Sequence, residues 1–404
     1  MEMNIGRSAL KGTVLSQPSK SEAHRILLCA GLAKGTSHVD NLVLSEDVLA
    51  TLEALKTFSG YELEDSSMGK GRHRARIFGR MDRGGQREID CGESGTTLRF
   101  LSLICAGLGG RTVFTGKGRL PQRPMEESFQ IYGRDGIRYR HGEAFLPLRI
   151  EGKLKGGEYM VRGNVSSQFV SGLLMGLALV ERGGHVGILG ELESAGYVDL
   201  TMDVMECFNV RVEKDQGYTV PGSSTYLAAE KVVSGDWSNA AFFHVMNALG
   251  ADIGIQGLEE DSSQPDRVIR ELLEKTGDKV IDVSQCPDLV PALCTWGAAV
   301  NGTLRITNAR RLKLKESDRL LAMAVNLNKI GARAMRFDDG LFIEGGTKFK
   351  GGTVESFNDH RIAMAFASLA PVIGDRITIR GAECVKKSYP GFFEDFARLG
   401  GNIL

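Results

Sequence analysis

The residues of this 404-residue chain able to do chemistry gather in short runs rich in helix-capping types. They read Ser19-Lys20-Ser21 with Arg25, Ser94-Gly95-Thr96-Thr97-Leu98-Arg99, Ser166-Ser167-Gln168, Asp236-Trp237-Ser238-Asn239, Cys286-Pro287-Asp288 and Asn358-Asp359-His360-Arg361. Ser, Thr, Asn and Asp accept hydrogen bonds from the first N–H groups of a helix, so capping alone accounts for them. It does not account for Lys20, Arg25, Arg99 and Arg361. A cation at a helix amino end opposes the helix dipole by about 0.3–1 kcal/mol, and an anion bound there reverses the sign. Free N–H groups, the dipole and a cation together make a phosphate or carboxylate site. Further cations stand in loops: Arg123, then Lys315 and Arg319 in one run, and Lys387. Each loop run by itself reads as a solvated charged surface. The arginines from Arg72 to Arg87 are read that way too, as a polar hairpin without an acidic partner.

The elements that must position these runs recur six times. A strand opening on Gly and closing on Gly or Asn occupies 35–41, 110–116, 184–190, 250–257, 302–308 and 374–381. Each closing residue is expected to take a left-handed backbone. Ahead of each strand lies a segment apolar nearly all round, hence a buried helix: 26–33, 98–108, 169–180, 240–249, 289–300 and 362–370. An amphipathic helix follows each strand and ends near Gly or Asn, at 47–58, 125–132, 198–208, 267–276, 318–330 and 392–399. The strands begin 75, 74, 66, 52 and 72 residues apart, so the period is loose but the order of elements is constant. Much of the unusual glycine content, 51 residues, marks these joints. Six units imply an α/β architecture of three plus three, with helices at the centre and a crossing near 221–231.

Composition removes several classes of function. Fifty basic and fifty acidic residues leave no net charge, which argues against nucleic-acid or anionic-membrane partners. No apolar run reaches 18 residues, and the amino terminus lacks the pattern of a secretory signal. Seven scattered cysteines without a Cys-x-x-Cys pair read as reduced thiols of a cytoplasmic protein, and no metal site is expected.

Taken in order, the runs resemble the 5-enolpyruvylshikimate-3-phosphate synthases (3-phosphoshikimate 1-carboxyvinyltransferases) of the enolpyruvyl transferase family. The resemblance extends from Ser19-Lys20-Ser21 to Lys387-Ser388-Tyr389-Pro390, with Lys315-Glu316-Ser317-Asp318-Arg319 and Asp359-His360-Arg361 among its most specific pieces. It implies an inside-out α/β barrel of two domains, each with three βαβαββ repeats around buried helices. Residues 1–14 with 229–404 form one domain and 15–228 the other, and the active site lies in the cleft between them. The implied reaction, in the shikimate pathway to chorismate and the aromatic amino acids, moves the enolpyruvyl group of phosphoenolpyruvate to shikimate 3-phosphate. It proceeds by addition and elimination without cofactor, in a monomer.

Carried over by position, the resemblance assigns shikimate 3-phosphate to Lys20, Ser21, Arg25, Ser166, Ser167, Gln168, Ser194, Tyr197, Asp288 and Lys315. It assigns phosphoenolpyruvate to Lys20, Gly95, Arg123, Gln168, Arg319, Arg361 and Lys387. Asp288 is the base for the attacking hydroxyl, kept ionised by Lys20 and Lys315. Glu316 is the acid for the methylene carbon, and Lys20 touches both ligands. Two positions break the family pattern, Glu93 for the usual Asn and Arg311 at the start of Arg311-Leu312-Lys313. The alternative is a UDP-N-acetylglucosamine enolpyruvyl transferase, disfavoured because the loop from Lys117 to Pro124 has no cysteine.

Overall fold

A computed structural model describes residues 1–69, 71–79, 84–274 and 277–404. Six helices lie directly behind the candidate runs: Lys20–Leu32, Gly95–Leu108, Ser167–Leu177, Trp237–Ala248, Val290–Ala299 and His360–Ala367. Apolar residues surround most of their circumference, which leaves almost no face for water, and nearly all their residues are buried. Ser19, Ser94, Ser166, Asp236 and Asp359 are the N-caps of five of them, each accepting a backbone N–H in the first turn. The sixth start differs. Cys286 makes no side-chain cap, and a 3₁₀ turn, Pro287–Leu289, precedes Val290–Ala299. Prolines at 287 and 291 fit there because they bring no N–H that would need a partner.

The sheets repeat as the helices do. Gln86–Asp90, Arg111–Thr115, Leu148–Glu151 and Arg138–His141 lie side by side, the first pair parallel and the others antiparallel. Gly157–Arg162, Gly184–Leu189, Gly217–Val220 and Glu213–Asp215 follow the same plan, as do Lys279–Asp282, Thr303–Thr307, Gly340–Glu344 and Arg333–Phe337. Strands such as Gln86–Asp90, Leu148–Glu151 and Gly157–Arg162 alternate buried and less buried residues, so one face covers the central helices and the other meets water, while the edge strands Arg138–His141 and Glu213–Asp215 are exposed throughout. With amphipathic helices such as Arg319–Lys329 also outside, this is an inside-out α/β fold.

The other three sheets are completed from distant parts of the chain. Glu230–Val232 pairs in parallel with Gly35–Leu42, almost two hundred residues earlier in the sequence. Lys11–Leu15 pairs in parallel with Asp252–Gln256, and Glu2–Ile5 adds an antiparallel edge to Ile377–Arg380. These exchanges sort the chain into two compact units, Pro18–Ser234 and Met1–Gln17 with Gly235–Leu404. The crossings fall at 17/18 and 234/235, not at 14/15 and 228/229, because strand pairing holds residues up to Leu15 in one unit and up to Val232 in the other. Among the described residues, the sheet around Ile377–Arg380 has three strands and the one around Asp252–Gln256 has two.

Each unit has its own apolar core. One gathers buried residues from Ala23 to Val233, the other joins Ile5, Leu10 and Val14 to residues from Trp237 onward. In the first, glycine lets two central helices nearly touch: a Cβ on Gly107 would lie 2.4 Å from the Gly176 carbonyl oxygen, and one on Gly176 would lie 2.6 Å from that of Leu103. Among the strand exits, Asn41, Gly190, Gly257, Asn308 and Gly381 have positive φ. Gly116 does not. It is small because a Cβ there would lie 2.7 Å from Leu120 and 2.9 Å from the Gly92 carbonyl.

Three local readings are corrected. Gly133 lies inside Glu126–Asp135, and Gly136, at φ 72°, caps that helix. The helix read at 267–276 is a 3₁₀ turn, Pro265–Val268, running into Ile269–Leu273, with 275–276 outside the described residues. The Arg72–Arg87 segment does meet acids: Arg74 pairs with Asp40 at 2.6 Å and Arg76 with Glu62 at 3.0 Å across the strands His73–Gly79, Gly35–Leu42 and Ser59–Asp65, while 80–83 lie outside the described residues. No described helix is long and apolar enough to cross a membrane.

Candidate active site

In the Met1–Gln17/Gly235–Leu404 unit, the candidate residues converge on one guanidinium. Arg319 opens the helix Arg319–Lys329 and is almost completely buried. Its Nη1 donates to Asp288 Oδ1 at 2.7 Å, its Nη2 to Glu316 Oε2 at 2.9 Å, and its Nε to Asp359 Oδ2 at 2.8 Å. Arg361, at the start of the central helix His360–Ala367, reaches the other Asp288 oxygen at 3.2 Å and Ser238 Oγ at 2.9 Å. Lys315 Nζ stands 3.7 Å from Asp288 Oδ1. Lys387, in the turn Ala382–Lys387, is buried and donates to the Asn358 carbonyl at 2.8 Å. Asp288, Lys315, Glu316, Arg319 and Arg361 are thus one connected cluster, and the Asn358 carbonyl brings Lys387 next to the chain leading into Asp359.

The charges decide the protonation of Asp288. Burial pushes its carboxyl upward, but Arg361, Lys315 and Arg319 outweigh it and hold the group well below the usual carboxylate range. Burial draws Lys315 down to about 8, a shift that Asp288 opposes. Burial also works against the Arg319 charge, and Asp359, Glu316 and Asp288 together raise it above its ordinary value. Asp288 and Glu316, presented on two nitrogens of one guanidinium, are the kind of carboxylate pair that general acid–base chemistry uses.

In the Pro18–Ser234 unit, Lys20 begins its central helix and pairs with Asp47 Oδ2 at 2.7 Å. Arg25 lies one turn farther along, buried beneath the Phe100 and Tyr197 rings, at 5.0 and 5.9 Å from their centroids. Its hydrogen bonds go to neutral oxygens, Thr201 Oγ1 at 2.7 Å, the Ser21 carbonyl at 2.6 Å and the Tyr197 carbonyl at 2.8 Å. Burial lowers its pKa to about 10, against smaller raising effects from Tyr197, Cys29 and Glu22. A buried guanidinium on carbonyls and hydroxyls retains the charge an incoming anion would neutralise. Ser194 is buried at φ 57°, and its carbonyl accepts the Tyr197 N–H at 3.1 Å, fixing the entry to Gly196–Cys207.

A second group surrounds the start of Gly95–Leu108. Gln168 bridges Thr96 and Arg99, at 2.8 and 2.9 Å, beside the capping Ser166 and the buried Ser167. Arg123 is buried, and a Cβ built on Gly95 would lie 2.5 Å from its Nη1. Any side chain at 95 would therefore move that guanidinium. Glu93 lies against Gly118, where a Cβ would come within 2.6 Å of its carboxylate, and Arg311 donates to the Ser284 carbonyl.

Sequence reasoning missed the buried acids that hold these cations. Asp359 caps its own helix and also binds Arg319 and Ser317. Asp47, in the first turn of Glu46–Leu55, holds Lys20. Asp359 sits in a run that capping had already accounted for, and Asp47 opens the amphipathic segment read at 47–58, so only their contacts with the cations distinguish them. Asp288 was expected to be steadied by Lys20 and Lys315. Lys315 does stand beside it, joined by Arg319 and Arg361, which were read only as ligand-binding cations, while Lys20 belongs to the other unit and pairs with Asp47.

A family profile described as EPSP synthase (3-phosphoshikimate 1-carboxyvinyltransferase) matches residues 5–396. A 3-phosphoshikimate 1-carboxyvinyltransferase of Clostridium kluyveri is 44% identical, across 99% of this chain and 98% of the relative. Another, from Clostridium novyi, is 40% identical across 98% and 97%. Among solved structures, an EPSP synthase from Acinetobacter baumannii superposes with a TM-score of 0.81 at 29% identity, over 100% of this chain and 99% of that one. The enolpyruvyl transferase NikO from Streptomyces tendae, at 16% identity, TM-score 0.78, and 100% and 98% coverage, shares the fold.

Proposed function

The chain belongs to the EPSP synthase family, and from that premise we infer that it transfers the enolpyruvyl group of phosphoenolpyruvate to the 5-hydroxyl of shikimate 3-phosphate. The products are 5-enolpyruvylshikimate 3-phosphate and inorganic phosphate. The names of its relatives favour this acceptor over UDP-N-acetylglucosamine. The single observation that carries the residue roles is the Arg319 cluster, with Asp288 held ionised beside Glu316.

In this reading Asp288 accepts the hydroxyl proton as the acceptor oxygen bonds to C2 of phosphoenolpyruvate. Glu316 delivers a proton to C3, completing a tetrahedral adduct. Elimination reverses the carbon protonation: Glu316 takes a proton from C3, the double bond re-forms, the C2–O bond to phosphate breaks, and the proton held by Asp288 ends on the departing phosphate, which restores the base. Arg123, Arg319, Arg361 and Lys387 hold phosphoenolpyruvate, and Gly95 leaves the Arg123 guanidinium room beside it. Arg25, Ser21, Ser166, Ser167, Gln168, Ser194, Tyr197 and Lys315 hold shikimate 3-phosphate, while Lys20 serves both. Arginine suits such sites because its planar fork can bind carboxylate or phosphate through two hydrogen bonds. We place the protein, as a monomer, in the cytoplasm.

Phosphate release tests the activity directly. It should require both substrates together, and release from either alone, or none from the mixture, would contradict the reading.

A further inference from the structure

In the Pro18–Ser234 unit, a buried chain of polar side chains that the reaction itself does not use runs behind the starts of Lys20–Leu32 and Gly95–Leu108. His24 Nδ1 is 2.7 Å from Thr51 Oγ1, which is 2.7 Å from Thr97 Oγ1. Thr97 Oγ1 in turn donates to Ser94 Oγ at 2.7 Å, and all four side chains are inaccessible to solvent. A hydroxyl has one hydrogen, so each partner's role follows from the next. Thr97, donating to Ser94, must accept from Thr51. Thr51, having donated, must accept from His24, which therefore carries its proton on Nδ1. His24 Nε2 is then a bare acceptor, and it is buried without a hydrogen-bond partner among the described residues. Burial, with Lys20 and Arg25 close by, holds the imidazole well below its ordinary pKa, which keeps it in this neutral form.

The two ends of the chain matter for placement. His24 lies one turn after Lys20 on the same helix, and Ser94 immediately precedes Gly95, against which Arg123 packs. Thr51, in the middle, sits on the helix whose first turn carries Asp47, the partner of Lys20. One run of hydrogen bonds thus ties together the three helices that carry Lys20, Asp47 and Gly95, the last of these lying against the Arg123 guanidinium.

We propose that His24 is a positioning residue for phosphoenolpyruvate, acting through Thr51, Thr97 and Ser94 to hold the Gly95 helix start against the Lys20 helix. The inference rests on the enolpyruvyl-transfer reading. A purely structural histidine would affect both substrates alike or only stability, whereas a positioning one separates them.

The test uses His24→Leu, His24→Asn and Thr97→Val in the full chain, with phosphate release measured while each substrate is varied and the other saturates. In His24→Leu and Thr97→Val, the KM for phosphoenolpyruvate should rise at least fivefold, with the KM for shikimate 3-phosphate changing less than twofold. His24→Asn, which can restore a donor near Nδ1, should return the phosphoenolpyruvate KM to within twofold of the parent. An unchanged phosphoenolpyruvate KM in folded variants, or a parallel rise in both values, overturns the proposal. If His24→Leu does not fold, the nearly isosteric Thr97→Val decides. Independently, ¹⁵N shifts of His24 in the parent protein at neutral pH should show a protonated Nδ1 and a bare Nε2, and a proton on Nε2 overturns the relay. A parent protein inert with both substrates would defeat the functional reading and this one with it. An active parent with insensitive variants defeats this one alone.

Discussion

At the scale of single residues, the site works by setting carboxylates among cations. Asp288 is ionised because three cations outweigh the effect of burial. Asp288→Asn keeps the shape and loses the base, so kcat should fall about 10²–10⁴-fold, the usual contribution of general acid–base catalysis. Calorimetry should still detect shikimate 3-phosphate binding, and near-parental turnover would remove Asp288 from the mechanism. Lys315 supplies a pH dependence. Its pKa of about 8 in the free protein means that above this pH it is neutral, so binding an anion there must draw in a proton. Affinity for shikimate 3-phosphate should therefore weaken as pH rises past about 8 and level off in Lys315→Met, and titration calorimetry at about pH 7 and about pH 9.5 reads the difference. Gly95→Ala places a methyl 2.5 Å from Arg123 Nη1. Steady-state kinetics should show a higher KM for phosphoenolpyruvate than for the parent, and an unchanged value would mean that Arg123 moves without consequence.

At the scale of elements, the Pro18–Ser234 unit is built around helices buried along almost their whole length, and glycine sets how near they come. Gly176→Ala would put a Cβ 2.6 Å from the Leu103 carbonyl, a backbone atom that cannot swing aside. Overpacking of this kind costs about 1–3 kcal/mol, so the midpoint of denaturant unfolding should drop with little change in slope. A midpoint equal to the parent's would show that the helix pair can separate at no cost. The central helices and their caps were legible because an all-round apolar segment behind Ser or Asp has few other solutions. The exchanged strands were not. Glu230–Val232 and Lys11–Leu15 are short and carry no sign of which sheet receives them, since backbone pairing is indifferent to distance along the sequence.

At the scale of the whole molecule, two cores share one chain: the Pro18–Ser234 core is closed by a strand from its own far end, the other by strands from the opposite side of that inserted segment. Such a chain should depart from two-state melting, its calorimetric enthalpy exceeding the van't Hoff value. Leu293→Ala, cutting a fully buried side chain from one core at a cost of about 2–5 kcal/mol, should move only part of the transition in scanning calorimetry. A single transition shifting as a whole would contradict this. Residue types and their order along the chain determined the six-fold plan, the helix starts and the candidate cations, because capping, periodicity and charge are local properties. Tertiary structure alone decided that Asp359 and Asp47 hold Arg319 and Lys20, that Arg319 joins Asp288 to Glu316, and which sheets accept the exchanged strands. Those depend on which distant atoms come within 3 Å or so, and the strength of a charge–charge contact changes with that distance and with burial.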